Sequence, residues 1–414
     1  MKRTIKLAVA AAIALSSTAA FATNGDHLIG TGAKARGMGG IGIGMSHGAE
    51  SALSNPAMIT SVEGTEVSFG GTVFMPDVKT NLGDGSGSHD SAADMSVIPE
   101  VSIAQKASDN FYWGVGMFGT AGMGTDYRNA TGGMTNMNMV TNLQLMQFAV
   151  PLAYKTNGFS IGVAPVLQYG SLDINYVNNT PGAFAMGTGL PSGATSTTKG
   201  VAQDFGVGYN VGAAYEVAGL TLGASYKSAI DMVYTGQISQ AMHDFTGAPA
   251  SMISDHLEQP AEMGVGASYT MSGNTFAVDY KKIKWSDAKG YKDFAWSDQN
   301  VMMLGYQYAQ DNWALRAGYN HAASPIKDQG MMSMMSNLTN VFNLLGFPAI
   351  VESHYTAGAS YGFSKMTSLD LAYVYAPEVT NTYGYNLTTN PAYATTISTK
   401  HSQSSASAQL NFKF

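Results

Sequence analysis

From about residue 64 to the last residue, apolar and polar side chains alternate with a period of two in many short segments. Segments 205–216, 263–269, 313–320 and 355–363 place aliphatic or aromatic residues at every second position, with small, polar or charged residues between them. Because successive residues of a strand point to opposite faces, each segment is predicted to be a β-strand with one apolar and one polar face. No segment after residue 22 contains the ~18 consecutive apolar residues of a membrane-spanning helix. The pattern predicts an all-β fold.

The connections between these strands are alternately short and long. Short segments rich in Asn, Asp, Ser and Gly predict tight hairpin turns near residues 108–110, 156–158, 218–219, 272–274, 310–312 and 365–367. The long connections lie at 81–93, 128–137, 178–200, 236–255, 286–298, 327–350 and 381–396. Strands with one lipid-facing side, short periplasmic turns and long external loops are typical of a transmembrane antiparallel β-barrel, here of about 14 strands. Such strands must close into a barrel because hydrocarbon offers no partner to an unpaired backbone group.

The first 22 residues have the features of a secretory signal peptide. Lys2, Arg3 and Lys6 precede an apolar stretch at 7–15, and Ala20-Phe21-Ala22 fits a cleavage site. Loss of this peptide lowers the formal charge from −7 to about −10, and an acidic exported chain is a poor binder of nucleic acid. Charged residues are 12% of the chain, against about 25% in soluble domains, and the absence of cysteine excludes a disulfide scaffold. We expect a multi-pass protein of the bacterial outer membrane.

The start of the mature chain, residues 23–63, does not alternate. About 40 residues before the first strand are more than a tail requires, and barrels of this size can hold a plug in the lumen. We therefore predict three parts: the signal peptide at 1–22, an N-terminal hatch at 23–63, and the barrel at 64–414.

A short Asn-Pro-Ala element, Asn55, Pro56 and Ala57, follows a Gly-rich stretch in the predicted hatch. Later come Leu315-Arg316-Ala317-Gly318-Tyr319 and, near the end, the segment LDLAY at 369–373. With these elements the chain resembles the FadL/TodX (OmpP1) family of outer-membrane transporters of long-chain fatty acids and other hydrophobic compounds. The resemblance covers nearly the whole mature chain. It implies a barrel of about 14 strands with a hatch that contains the Asn-Pro-Ala element.

The third predicted strand, at 113–124, is unusually rich in glycine, which suggests a bulge or kink. In the family this strand bends inward and leaves a lateral opening in the wall. The resemblance places that opening here at Gly119, Thr120, Ala121, Gly122 and Gly124. The alternative is an ordinary Gly-rich strand that eases curvature.

Three of the long loops are unusually apolar, which suggests a surface that captures hydrophobic molecules. The candidate residues are Phe184, Met186, Leu190, Met242, Phe245, Met252 and Ile253. A Met-rich stretch at 331–347 has helical spacing, and flexible Met side chains suit varied apolar ligands. The alternative is that these loops pack on each other and seal the barrel. The resemblance implies a low-affinity groove between two outer loops, here those at 178–200 and 236–255.

Two basic residues, Arg316 and Lys227, point into the lumen on the alternation argument and are candidate substrate ligands. Arg316 can bind a carboxylate in a bidentate manner, or it can pair with an acid in the wall. Inward-facing acids outnumber bases, so a fatty-acid anchor is not evident. A neutral hydrocarbon or aromatic substrate therefore remains open beside a fatty acid.

We expect passive uptake of hydrophobic small molecules, with no enzymatic activity, no cofactor and no metal. Outer-membrane lipid and lipopolysaccharide are the expected surroundings, and a monomer is expected because a closed barrel has no free edges. Two alternatives stay open: a general porin for polar solutes, which the long leading segment opposes, and an outer-membrane lipid hydrolase, for which no residue spacing singles out a catalytic set.

Overall fold

The computed structural model describes residues 23–128, 136–177, 195–197, 200–246, 250–387 and 390–414. Within these residues, fourteen antiparallel strands cross the wall of one closed sheet. They are β1 Thr65–Asn81, β2 Ser96–Lys106, β3 Phe111–Asp126, β4 Val140–Ala149 with Leu152–Thr156, β5 Phe159–Val177, β6 Ala202–Val217, β7 Leu220–Lys227, β8 Glu262–Met271, β9 Asn274–Ile283, β10 Gln299–Gln310, β11 Trp313–His321, β12 Ser353–Gly362, β13 Thr367–Tyr385 and β14 Thr395–Lys413.

Closure is made by β14 and β1, which pair from Lys413 and Glu66 to Ser398 and Asn81. The last residue extends this pairing: Phe414 and Thr65 exchange two backbone hydrogen bonds of 2.9 and 3.0 Å. The predicted all-β class and the barrel of about 14 strands are confirmed.

The two faces of the sheet have opposite chemistry. Phe276 and Val265 are about 60% exposed on the outer face, whereas Asp279 and Asn320 are fully buried on the inner face. An exposed belt of aliphatic and aromatic side chains with a polar interior is the arrangement that a hydrocarbon surrounding requires.

Short hairpins join the strands at one end, the short-turn end, and long connections join them at the other, the long-loop end. Asn157, Ala218 and Ser272 have positive φ and are each followed by a glycine that also has positive φ, as tight hairpins with right-handed twist demand. The predicted loop at 381–396 is shorter than expected, because β13 and β14 remain paired up to Tyr385 and Thr395.

The helices are short: α1 Ala33–Arg36, α2 Ile238–Thr246 and α3 Met334–Leu345. Turns of 3₁₀-helix lie at Gly48–Ala52, Pro56–Ser61, Asn136–Asn138, Ala250–Met252 and Pro391–Tyr393, and short strands lie at Thr23–Asn24, His27–Leu28, Ser88–Asp90 and Thr195–Thr197. None of the helices in the described part of the chain has the length and apolar character needed to cross a membrane.

Residues 23–63, here called the N-terminal segment, are mostly buried. They contact inward-facing residues of strands on all sides, including β1, β5, β9 and β11. The described residues therefore place the N-terminal segment within the space that the sheet encloses.

Candidate functional site

A single carboxylate of the wall holds the middle of the N-terminal segment. The backbone N–H groups of Gly42, Ile43 and Gly44 donate hydrogen bonds to Asp279 of β9, at 2.8, 2.7 and 2.9 Å. Hydrogen bonds to an ionised acceptor are stronger than hydrogen bonds between neutral groups. The three donors are buried, so no water can take the place of the Asp279 carboxylate as their acceptor. Asp279 is thus the main polar attachment of this stretch.

Near Asp279, glycines let the backbone of the N-terminal segment approach the backbone of the wall closely. A Cβ atom on Gly266 of β8 would lie 2.5 Å from the Gly44 nitrogen, and one on Gly318 of β11 would lie 2.2 Å from the Gly39 nitrogen. Larger residues would displace the segment, so the Gly-rich sequences of the wall and the segment match each other.

The predicted Asn-Pro-Ala element begins a 3₁₀ turn against the wall. Asn55 is fully buried; its Oδ1 accepts from Ala57 N at 3.1 Å, and its Nδ2 donates to the carbonyls of Ile43 and Ala213. A Cβ on Gly212 of β6 would collide with Asn55. Asn55 therefore caps the turn and joins it to both the segment and β6, a role that needs both amide atoms.

Buried charges tie α1 to the wall and to the rest of the N-terminal segment. Arg36 donates to Glu100 and, at 2.7 Å, to Thr72, while Lys34 lies 2.9 Å from Glu50. His47 is buried nearby, and its Nε2 contacts the Ile41 carbonyl at 2.7 Å. Burial lowers the pKa of His47 to about 3, so this histidine is neutral at neutral pH and Nε2–H donates the bond.

The strand β3 leaves its neighbour β2 halfway along its length. Pairing between them runs from Tyr112 to Phe118 and is not continued beyond it among the described residues. On the other side, β3 has a register shift between Gly119 and Ala121 against β4. The alternation of buried and exposed residues also ends here, and the stretch 119–126 is almost entirely buried.

The N-terminal segment contacts, from inside the barrel, the stretch of β3 that does not pair with β2. Gly122 N donates to the Asp26 carbonyl at 3.0 Å, and His27 forms a bridge with Ala121. The five residues predicted for a lateral opening, Gly119, Thr120, Ala121, Gly122 and Gly124, all lie in this stretch.

A narrow apolar pocket lies beside the same stretch. The N-terminal segment, the strands β3 to β5 and the loops after β7 (with α2), β9 and β11 provide its lining. The lining residues are Asp26, Met123, Leu143, Leu172, Ile174, Ile238, Leu257, Tyr291, Phe294, Trp296, Asn343 and Phe347. Of these, Met123 belongs to the stretch of β3 that does not pair with β2, although it still pairs with Leu143 of β4. We call this cavity the apolar pocket.

The polar groups of the apolar pocket centre on Asp26. Its Oδ2 accepts hydrogen bonds from the Tyr291 hydroxyl and, at 3.3 Å, from Gln259. Trp296 Nε1 donates to Asn343 Oδ1 at 3.1 Å, so the amide oxygen of Asn343 has a hydrogen-bond partner. Burial raises the pKa of the Asp26 carboxyl.

A second, open cavity, the loop groove, lies at the long-loop end and shares Ile238 and Phe294 with the apolar pocket. Its lining residues are Ile238, Met242, Met252, Ile253, Ser254, Gly290, Asp293, Phe294, Met335 and Thr339. The predicted capture residues Met242, Met252 and Ile253 therefore come together. The predicted residues Phe184, Met186 and Leu190 lie outside the described residues, as does the side chain of Phe245. The described residues of the groove come from three loops: the loop that contains α2, the loop that contains α3, and the loop after β9.

The Met-rich stretch at 331–347 is exposed at its start and buried along the rest of α3. Leu338, Phe342 and Leu345 of α3 are buried. Met332 is 91% exposed and Met335 is 52% exposed. The helix body therefore packs into the barrel, and its beginning presents Met side chains at the surface.

The two basic residues predicted to bind substrate are not among the described residues that line the apolar pocket. Arg316 donates to Gln307 at 2.8 Å and to Ser360 at 2.5 Å, and its nearest carboxylate is Asp370 at 4.0 Å. Lys227 lies 3.6 Å from Glu262. Both point inward as predicted, and both have partners in the wall.

Sequence reasoning missed Asp26, Tyr291, Phe294 and Trp296. A signal for the last three was present, because 285–296 concentrates aromatic residues within a predicted outer loop. For Asp26 we find no such signal.

Comparisons with known proteins agree with this architecture. The family described as outer membrane protein transport protein (OMPP1/FadL/TodX) matches residues 7–414. A curated relative of Chlorobium limicola, an uncharacterized protein from the 5′ region of the phosphoenolpyruvate carboxykinase gene, is 40% identical over 80 residues. That match spans 19% of this chain and 39% of the relative.

Solved structures show the same fold at low identity. A Pseudomonas aeruginosa FadL homologue has a TM-score of 0.72 at 16% identity, with 94% of this chain and 100% of that chain covered. The P. putida toluene transporter TodX has 0.67 at 18% identity (93% and 99% covered), and the Ralstonia pickettii toluene transporter TbuX has 0.64 at 18% (93% and 98% covered). The chain therefore belongs to the OMPP1/FadL/TodX family of outer-membrane transport proteins.

Proposed function

We propose that this protein carries hydrophobic small molecules passively from outside the cell into the outer membrane. The route begins at the loop groove, continues into the apolar pocket and leaves between β2 and β3. The observation that carries the proposal is the position of the apolar pocket beside the stretch of β3 that β2 leaves unpaired.

The loop groove supports the capture step. Met252 is 81% exposed, and exposed Met side chains bind varied apolar shapes. Ile238 and Phe294 line both cavities, so a molecule that moves from the groove to the pocket stays in contact with apolar side chains.

The break in the wall supports the exit step. An apolar molecule that leaves sideways enters hydrocarbon directly and avoids the unfavourable transfer to water. Residues 26 and 27 lie between the pocket and this break, so exit requires them to move. In this proposal, residues 23–63 act as a hatch that closes the bore and controls the exit.

The substrate remains open between fatty acids and neutral hydrocarbons. Two structural relatives are named as toluene transporters and one as a FadL homologue. In this chain the described lining of the pocket contains the Asp26 carboxyl and no basic residue, which favours an uncharged substrate.

A reversible cross-link tests the lateral route. An ideal Cβ on Gly119 would lie 3.7 Å from the Ile98 Cβ, within the ~3.5–4.5 Å that a disulfide requires. The chain has no cysteine, so Ile98→Cys/Gly119→Cys forms a single defined bond that pins β3 to β2. We expect intact cells to take up radiolabelled toluene or a fatty acid slowly when the pair is oxidised and at the normal rate after reduction.

The matched control is Ala317→Cys/Ala357→Cys, which joins directly opposed residues in a regularly paired part of the wall. Its oxidation should leave uptake unchanged. Equal uptake by the oxidised and reduced forms of the first pair, with the disulfide shown by mass spectrometry, would exclude exit beside Gly119.

A further inference from the structure

One buried side-chain oxygen of a residue that lines the apolar pocket has no hydrogen-bond partner among the described residues. Asp26 is fully buried and lines the pocket, and its Oδ1 atom makes no hydrogen bond with any described residue. The nitrogen His27 Nε2 is 3.7 Å away, beyond hydrogen-bond distance. This nitrogen already contacts Gln259 Oε1 at 2.6 Å.

The other polar side chains of the lining are satisfied. Tyr291 donates to Asp26 Oδ2, and the Trp296 and Asn343 side chains bond each other. Asn343 Nδ2 also donates to the Phe294 carbonyl at 3.0 Å. Within the described lining, the unmet hydrogen-bonding capacity is therefore one acceptor, surrounded by aliphatic and aromatic side chains.

A buried polar atom without a hydrogen-bond partner is unfavourable, because it has lost its hydrogen bonds to water and gained none in the protein. A ligand that brings one hydrogen-bonding group removes this penalty, whereas a hydrocarbon leaves it in place. A ligand carboxylate would lose its solvation without meeting a basic residue in the described lining. An ammonium group would lose far more solvation than a hydroxyl on entry to an apolar site.

We propose that the apolar pocket selects apolar molecules that carry one neutral hydroxyl group, such as alkylphenols, and that this hydroxyl forms a hydrogen bond with Asp26 Oδ1, because a hydroxyl can donate to an ionised carboxyl and accept from a protonated one. The inference rests on the proposed function, because it assigns the substrate class of the same pocket. The cavity has a volume of only about 20 Å³, so a ligand enters as Met123, Leu143 and Phe294 move apart. Its aromatic or alkyl body then packs against these side chains, and its hydroxyl lies next to Asp26 Oδ1.

The test compares p-cresol with p-xylene, which differ by a hydroxyl in place of a methyl group. Binding of each to the purified full chain in lipid nanodiscs is measured by calorimetry, with empty discs subtracted. For Asp26→Leu we expect the affinity for p-cresol to fall by about tenfold relative to that for p-xylene, because the hydrogen bond with the buried Asp26 carboxyl is lost. Comparing the ratio between variants cancels the different partition of the two ligands into lipid.

Two further variants separate the role of Asp26 from a change in pocket shape. Tyr291→Phe removes the donor to Oδ2 and leaves Oδ1 in place, so it should keep the preference for p-cresol. Asp287→Leu changes an exposed carboxylate after β9 and should leave both affinities unchanged. A structure of the wild-type protein with p-cresol should place the hydroxyl within about 3 Å of Asp26 Oδ1.

The outcomes are distinguishable from failure of the proposed function. If p-xylene binds and the p-cresol ratio is the same in wild type and Asp26→Leu, the hydroxyl inference is overturned and the proposed route stands. If neither ligand binds the wild-type chain, the proposed pocket itself is wrong. A p-cresol ring bound with its hydroxyl away from Asp26 also overturns the inference.

Discussion

Replacement of Asp279 by alanine should release the N-terminal segment without unfolding the barrel. The substitution leaves the N–H groups of Gly42, Ile43 and Gly44 buried without their shared acceptor. Each unsatisfied donor is unfavourable by about 1–3 kcal/mol. Since the three bonds share one carboxylate whose own desolvation is relieved, we take about 3–5 kcal/mol for the group.

At about 1.4 kcal/mol per tenfold change, this loss raises the ratio of released to bound segment by roughly 10² to 10⁴. The wall itself should survive, because β9 remains paired along its length with β8 and β10. The assay is conductance in planar bilayers, where release of the segment opens a water-filled bore. We expect frequent large openings for Asp279→Ala and fewer for Asp279→Asn, which keeps one acceptor oxygen.

Asp77→Ala, at an exposed carboxylate of β1, is the matched control and should behave like the wild type. If Asp279→Ala forms heat-stable barrels whose openings are as rare as those of the wild type, these hydrogen bonds do not hold the segment.

Two other predictions concern pH and capture. The His47 pKa is about 3 in the closed state and about 6.5 when exposed, so a released segment takes up a proton that the closed one does not. As pH falls from 6.5 towards 3, the opening frequency of wild-type channels should therefore rise by up to tenfold per pH unit relative to that of His47→Gln channels. Parallel pH profiles of the two proteins would contradict this. The double variant Met252→Ser/Met335→Ser should slow uptake at low substrate concentration and leave the saturated rate nearly unchanged, as kinetics in intact cells will show; a fall in the saturated rate alone would contradict a capture role.

The strands and turns were predictable because each depends on residues close in sequence. Period-two alternation determines which side chains of a strand face lipid, and dipeptides such as Asn157-Gly158 supply the positive φ of the hairpins. The same alternation correctly turned Arg316 and Lys227 inward. It did not indicate their partners, because Asp370 and Glu262 lie on neighbouring strands whose register the sequence does not give.

The apolar pocket was not predictable for a related reason. Asp26, Met123, Phe294 and Asn343 are far apart in the chain, and the closed sheet brings them together. The glycines of β3 marked the irregular stretch, yet its separation from β2 follows from the end of pairing at Phe118. A single residue such as Asp26 acquires its role from this assembly.

The most direct test of the proposed route is to map where a photoreactive alkylphenol contacts the protein during uptake by intact cells. Mass spectrometry of the labelled chain should find the label on the pocket and at the wall break, at Met123, Phe294 and Ile98. Label confined to the short-turn end of the bore, around Lys34 and Asp311, would show that substrate passes down the barrel and would contradict exit through the wall.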